Sequence, residues 1–266
     1  MHVAIDDTYG PEAITPTKYV TGARRTYVAV EFPDAQVAYI RQNIRDCVTW
    51  LEAKLGTSLL EFHFSEIYNR RGAWKSCLNG ENLRVVSFFA ELYQLHRWRV
   101  HVQTVDERTF SDHNVDPAGI ADGIDLCERD GQALFLLLLK VRDVLPPPPE
   151  RIVMRIDAGR SKPGSLLAPR IFRRWAGLYD GRYEFSHADP LIQVADFLAF
   201  SINRSTHLAT KPTITKIDQE FLDMVGNMEI RSSDIIRVGS TIASIRQDLD
   251  MAHSEDRIAK GLENPE

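Results

Sequence analysis

Cysteine is scarce: Cys47, Cys77 and Cys127 are the three among 266 residues, far apart and without a CxxC spacing. They cannot all pair within one chain. A disulfide scaffold is therefore not expected, and a reduced, cytoplasmic setting with the thiols buried as small apolar groups is. Long apolar runs are lacking as well. The longest, Ala133 to Leu139, falls far short of the roughly 20 residues that a membrane-crossing helix needs. No basic region leads into an apolar run near the start, so no secretory signal is expected. Positive charge is not in excess either. A net charge of -5 advertises no basic field for nucleic acid, although a local patch can still hold one. Internal repeats, a P-loop, GxGxxG, HExxH and GxSxG are all missing.

What is present is an ordinary globular composition, 44% hydrophobic and 26% charged, with ample length for a core. The chain opens with Val3-Ala4-Ile5, an apolar strand that runs into Asp6 and Asp7 and then Thr8-Tyr9-Gly10. An ionised Asp at the end of a buried strand is costly unless a partner neutralises it. A metal ion is one such partner. Plain turn chemistry explains the same residues. Thr26 to Phe32 reads as a second strand, antiparallel to the first across a polar loop from Pro11 to Arg25. Asp34 is placed to cap a helix whose apolar stripe runs from Val37 to Leu55, with Gly56 to end it.

Leu59 to Tyr68 reads as extended, which puts Glu61 and His63 on one face, with Glu66 a second acid nearby. Arg70 and Arg71 follow in a small basic loop that is either a solvated turn or a phosphate contact. A helix is expected from Leu83 to Trp98, a strand from Trp98 to Val105, and a helix from Gln132 to Leu145 stopped by Pro146 to Pro149. Arg151 to Asp157 repeats the opening theme: an apolar strand ends in an acid, with Arg160 and Lys162 just beyond. Tyr183 to Ser186 reads as a short strand. Asp189 caps, and Pro190 opens, a helix that is apolar nearly all round. Gln193, Asp196 and Asn203 share one face of it. Such a stripe needs partners, either hydrogen bonds between helices or a site. Beyond His207 a helix is expected over Asp218 to Met228, weak periodicity over Asp234 to Asp248, and a frayed tail from His253.

Asp6 and Asp157 end two strands, Asp196 lies on a buried helix, and Glu61 or Glu66 lies on an apolar segment. Gathered together, such acids raise one another's pKa and call for cations. Hard divalent ions such as Mg²⁺ or Mn²⁺ take oxygen ligands of this kind, and two of them clamp a phosphodiester displacement without a side-chain nucleophile. Ile5-Asp6-Asp7, Glu61-Phe62-His63, Arg155-Ile156-Asp157 and Gln193-Val194-Ala195-Asp196, in that order over roughly residues 1 to 205, resemble the motif set of the prokaryotic domain-of-unknown-function family 3800 (DUF3800). In that family the first motif is typically Asp-Glu-Ser-Gly, so Asp7 stands where a Glu is usual. The middle acid often precedes a Lys or His by two residues, which favours Glu61 over Glu66.

The resemblance implies a ribonuclease H-like α/β fold: a mixed sheet flanked by helices over residues 1–205, with a helical C-terminal extension over 206–266. It also implies a nuclease, often met in mobile-element or defence settings, whose catalytic metal ligands are Asp6, Glu61, Asp157 and Asp196 around two ions. Asp7, His63, Glu66 and Gln193 would assist, with Gln193 orienting Asp196 or a water. Arg70, Arg71, Arg160 and Lys162 would meet the nucleic-acid backbone. A non-catalytic subunit that keeps the fold within a larger protein assembly is the alternative. An aspartyl phosphatase of the haloacid-dehalogenase type needs an Asp two places after Asp6, where this chain has Thr8.

Overall fold

The computed structural model describes residues 1–10, 18–56, 58–59, 61–77, 80–148, 150–235 and 245–264. Part of the Pro11 to Arg25 loop, Leu60, Pro149 and most of the weakly periodic stretch after Asp234 lie outside the described residues. Five strands make the main sheet: β1 (His2–Tyr9), β2 (Arg25–Phe32), β3 (Val100–Val105), β6 (Ile152–Asp157) and β7 (Tyr179–Glu184). Between them, β4 (Ile120–Ala121) and β5 (Ile124–Asp125) form a separate small hairpin. The main sheet runs β3-β2-β1-β6-β7. β1 pairs antiparallel with β2, and β2 with β3, while β6 lies parallel to β1 and β7 parallel to β6. Thus β2 alone opposes the rest. This is the ribonuclease H-like order, and the mixed α/β class expected from the sequence is the one observed.

Alternation along the strands decides what each face buries. On β1, Val3 and Ile5 face one core with Ile152, Met154 and Ile156 of β6, under α5 (Arg129–Val144). Ala4 faces the other core with Val28, Val30 and Val102. That second core is covered by α1 (Asp34–Leu55), α3 (Leu83–His96) and the long α6 (Pro190–Thr210). Phe62, Phe64, Phe89 and Phe197 pack edge-on and tilted at its centre. Each such ring fully withdrawn from water contributes about 1.5–3 kcal/mol.

Several expectations shift. Pro33, not Asp34, occupies the cap of α1; Asp34 is its first residue and takes the N-terminal ammonium (2.9 Å) and His2 (2.8 Å). Gly56 does close α1, at φ 63°. Phe64 to Asn69 is helix α2 rather than extended chain. Phe64 and Ile67, three apart, are both buried, a spacing that only a helix serves on one face. The last strand is Tyr179–Glu184, earlier than Tyr183 to Ser186. Its polar lettering, Tyr-Asp-Gly-Arg-Tyr-Glu, hides a strand whose polar residues lie at an edge. The polar stretch after Asp106 holds a single turn, α4 (Arg108–Ser111).

α6 begins as expected, with the Asp189 side chain accepting from the Leu191 N–H. It then runs unbroken through residue 205, past the expected start of an extension. α7 (Lys216–Asn227) opens with a capping box between Thr215 and Asp218. α8 (Ile245–Ala259) carries the helix well past His253, where fraying was expected. Arg257 anchors it through two bonds to Asp112, of 2.7 and 3.0 Å. Both helices pack on α6.

Candidate active site at the carboxyl ends of β1 and β6

Open α/β sheets present their ligand crevices beyond the carboxyl ends of strands. Here a cleft of about 550 Å³ lies at that edge, lined among others by Asp6, Asp7, Glu61, His63, Asp157 and Asp196. The alternation that puts Ala4 under α6 puts Asp6 there too, and it turns Asp7 toward the α5 face. Asp157 follows the same rule on β6. Its neighbours Ile156 and Met154 belong to the α5 core, so Asp157 faces α6. The parallel register matches Ile5 with Ile156, which leaves Asp6 and Asp157 side by side, one strand spacing apart. Asp196, in the second turn of α6, completes the set from above.

Asp6 and Asp196 feel their acidic neighbours. Burial first, then the charges of Asp196, Asp7 and Asp157, hold the Asp6 carboxyl well above its ordinary value. Asp196 is pushed up to about 7, chiefly by burial and further by Asp157 and Asp7. The charge of His63 and the Phe64 N–H at the start of α2 pull it back. Asp7 is raised by burial and relieved by Arg160. Asp157 accepts the Gly159 N–H at 3.0 Å.

Glu61 stands at the rim. His63 Nε2 meets its carboxylate at 3.1 Å, His187 Nδ1 at 4.0 Å, and the Ser186 hydroxyl donates to it. The bond from His63 lowers the Glu61 pKa, and the same bond raises His63 to about 8. Glu66 lies outside the cleft, on the exposed face of α2 beside Gly72.

Three expected roles change on contact with the geometry. Gln193 does not reach Asp196. Its Oε1 accepts the Phe62 N–H (3.2 Å) and its Nε2 donates to the Ser186 carbonyl (3.1 Å), so it staples together the two loops that hold Glu61. Arg160, though exposed, is engaged with acids: it pairs with Asp130 of α5 and lies 3.7 Å from Asp7. Arg70 and Arg71 are exposed at the end of α2, and Lys162 is exposed after β6; none of the three lines the cleft.

Asn203, on the stripe shared with Asp196, binds Thr8 Oγ1 (3.1 Å) and the Tyr9 carbonyl (2.8 Å), while Arg24 donates to its Oδ1 (2.8 Å). This network locks α6 to the end of β1. Ser186, His187, Phe185 and Asp130 carried no signal in the sequence beyond their type, because each acquires its neighbours only through the sheet order.

Hard, anionic oxygen donors converging in this way are the kind that divalent cations take. Among the described residues, no three His, Cys, Asp or Glu side chains are already drawn into a metal-holding group.

No protein-family model and no curated protein matches the chain. Among solved structures, a chain of the PCNA:RNase HII complex from Archaeoglobus fulgidus aligns at 14% identity with a TM-score of 0.35, covering 98% of this chain and 88% of that one. The fold class rests on strand order and direction. Among the described residues, no helix is long and apolar enough to cross a membrane.

Proposed function

We propose that this protein is a metal-dependent nuclease that hydrolyses phosphodiester bonds, and a diverged relative of the domain-of-unknown-function family 3800 named above. The observation that carries the reading is the convergence of Asp6, Asp157 and Asp196, from three separate elements, at one cleft where Asp196 and Asp157 oppose the ionisation of Asp6 and Asp157 opposes that of Asp196. A cluster so poised is relieved by cations. Asp6, Asp157 and Asp196 would hold two Mg²⁺ or Mn²⁺ ions, with Glu61 as the fourth ligand. Bound there, such ions supply Lewis acidity toward a phosphoryl oxygen and a more acidic attacking water.

The chain's own groups do the rest. Arg160 neutralises Asp7 and Asp130 behind the site, so that the charge facing the cleft is that of the ligand acids. Gln193 fixes the two loops on which Glu61 and Ser186 stand. His63, with its pKa near 8, carries a proton on Nε2 at neutral pH and can release it to a departing oxygen. The substrate is nucleic acid; a protein partner and a cytoplasmic defence or mobile-element setting belong to the same proposal.

The test is cleavage of end-labelled DNA and RNA in Mg²⁺ or Mn²⁺ by the wild type, Asp6→Asn and Asp157→Asn. Loss of cleavage in both variants is expected. Equal activity in all three proteins would remove the reading.

A further inference from the structure

The polar stripe of α6 does not end at the acids. Asn203, Arg204 and His207 line the same cleft as Asp196, seven, eight and eleven residues further on. Those spacings keep all four on one side of a helix. Ser65 and Asn69, four apart on α2, add a second polar wall. Along the axis Arg204 lies roughly 12 Å beyond Asp196, and His207 roughly 16 Å. The cleft is therefore longer than the acids alone require.

Its two ends carry opposite charge. Asp6, Asp157 and Asp196 stand at one. At the other, Asp218 of α7 is shared by two cations, Lys211 Nζ at 2.9 Å and Arg204 Nη2 at 3.4 Å. The buried Asp218 also accepts from the Tyr68 hydroxyl (2.9 Å) and the Thr215 hydroxyl (2.9 Å). One carboxylate thus answers two cations, and the surplus is positive. Arg24 adds to it, since it donates to the neutral amide of Asn203 at 2.8 Å. His207 registers the sum. Burial first, then the charges of Arg204, Lys211 and Arg24, hold its imidazole below the ordinary value. Arg204 is also fixed in place, its guanidinium 4.4 Å from the centroid of the Tyr68 ring. A planar fork held in this way loses little freedom on meeting an anion.

We infer that Arg204 is a phosphate-positioning residue. It receives a backbone phosphate beyond the nearest neighbour of the one held over Asp6, Asp157 and Asp196. This rests on the nuclease reading and narrows its substrate to a chain of phosphodiesters. A single phosphate group is too short to touch both ends of a groove about 12 Å long. An oligonucleotide is not. The guanidinium fork suits phosphate oxygens, which it binds in pairs. Such a contact sets register and reads no base. The shared chemistry is the phosphodiester, whether of DNA or of RNA.

The experiment is fluorescence anisotropy with labelled single strands of about 12 nucleotides, as DNA and as RNA, over a series of salt concentrations. The parent is the Asp157→Asn protein in Mg²⁺, so that binding is read without turnover. Adding Arg204→Gln is expected to weaken binding roughly tenfold, the loss of one charge-assisted bond. It should also flatten the slope of log Kd against log salt by about 0.7, the share of one phosphate on a single strand. Arg204→Lys keeps the charge and should keep the slope. In both variants Asp218 retains Lys211, Tyr68 and Thr215, so the fold should hold, and circular dichroism checks it. Arg174→Gln removes an exposed cation outside the cleft and should change neither affinity nor slope.

An Arg204→Gln protein with the parent's affinity and slope overturns the inference. So does a lysine variant that loses the slope as well, which marks a structural role, or an Arg174→Gln protein that loses as much, which marks bulk charge. A parent that binds neither oligonucleotide overturns it too. If the wild type meanwhile cleaves, the nuclease reading survives any of these failures. Binding and slope that depend on Arg204, with no cleavage by the wild type, support the inference and remove the nuclease reading instead. The parent's relative affinity for the DNA and RNA arms tells the two sources apart.

Discussion

Replacing Asp196 by Asn tests the electrostatics of the cleft without changing its shape. The carboxyl is pushed up to about 7 in the folded protein, against an ordinary value of 3.8, and burial is the chief cause. The folded state therefore holds this proton more tightly than the unfolded chain does. Between about pH 4 and pH 7 that preference is lost as the proton leaves. Stability falls through this window and levels off above it. Taken in full, the difference is about 4 kcal/mol; the cleft admits water, and discounting for that screening leaves roughly 2–4 kcal/mol. Asn has no proton to lose, yet its oxygen can still accept the Phe64 N–H.

In EDTA at pH 8 the Asp196→Asn protein should therefore be more stable than the wild type by roughly 2–4 kcal/mol. For a chain of this size that corresponds to a Tm higher by roughly 5–15 °C. The gap should narrow steadily as the pH falls toward 4. Thermal or urea denaturation across that range reads it directly. Parallel pH profiles for the two proteins would refute the reasoning, and so would a variant less stable at pH 8.

Other outcomes follow from the same geometry. Mg²⁺ added to the wild type at pH 8 should raise its stability by about 2.7 kcal/mol at a hundredfold excess over Kd, while Asp157→Asn should respond little; differential scanning calorimetry distinguishes the two. Arg160→Gln removes the nearer partner of Asp130, which is buried in the first turn of α5, and leaves it the Arg25 guanidinium at 3.9 Å; a cost of roughly 1–3 kcal/mol is expected in urea unfolding, mostly recovered by adding Asp130→Asn. Gly131→Ala would ordinarily strengthen a helix. Here the new Cβ collides with the backbone carbonyl of Asp125, so a loss of about 1–3 kcal/mol is expected in the same assay.

The acids that end apolar runs were legible because burial makes their position unusual. Asp6 and Asp157 sit where a strand pattern stops, and Asp196 interrupts a helix that is otherwise core. Alternation even sorts Asp6 from Asp7. Glu61 and Glu66 were harder, since the stretch between Leu59 and Tyr68 fits a strand or a helix by its apolar letters. What separated the two acids was α2, which turns Glu66 to solvent. The roles of Gln193 and Arg160 depend on partners more than 25 residues away, Phe62 for one and Asp130 for the other. β7 was shifted because its polar residues lie at a sheet edge, where periodicity is weak.

β1 and β6 are adjacent, although about 150 residues separate them along the chain. Asp6 thus acquires its neighbour Asp157 only after about 150 further residues have been made. Asp196 comes later still. A growing chain therefore carries no assembled acidic pocket until the segment through α6 has been made.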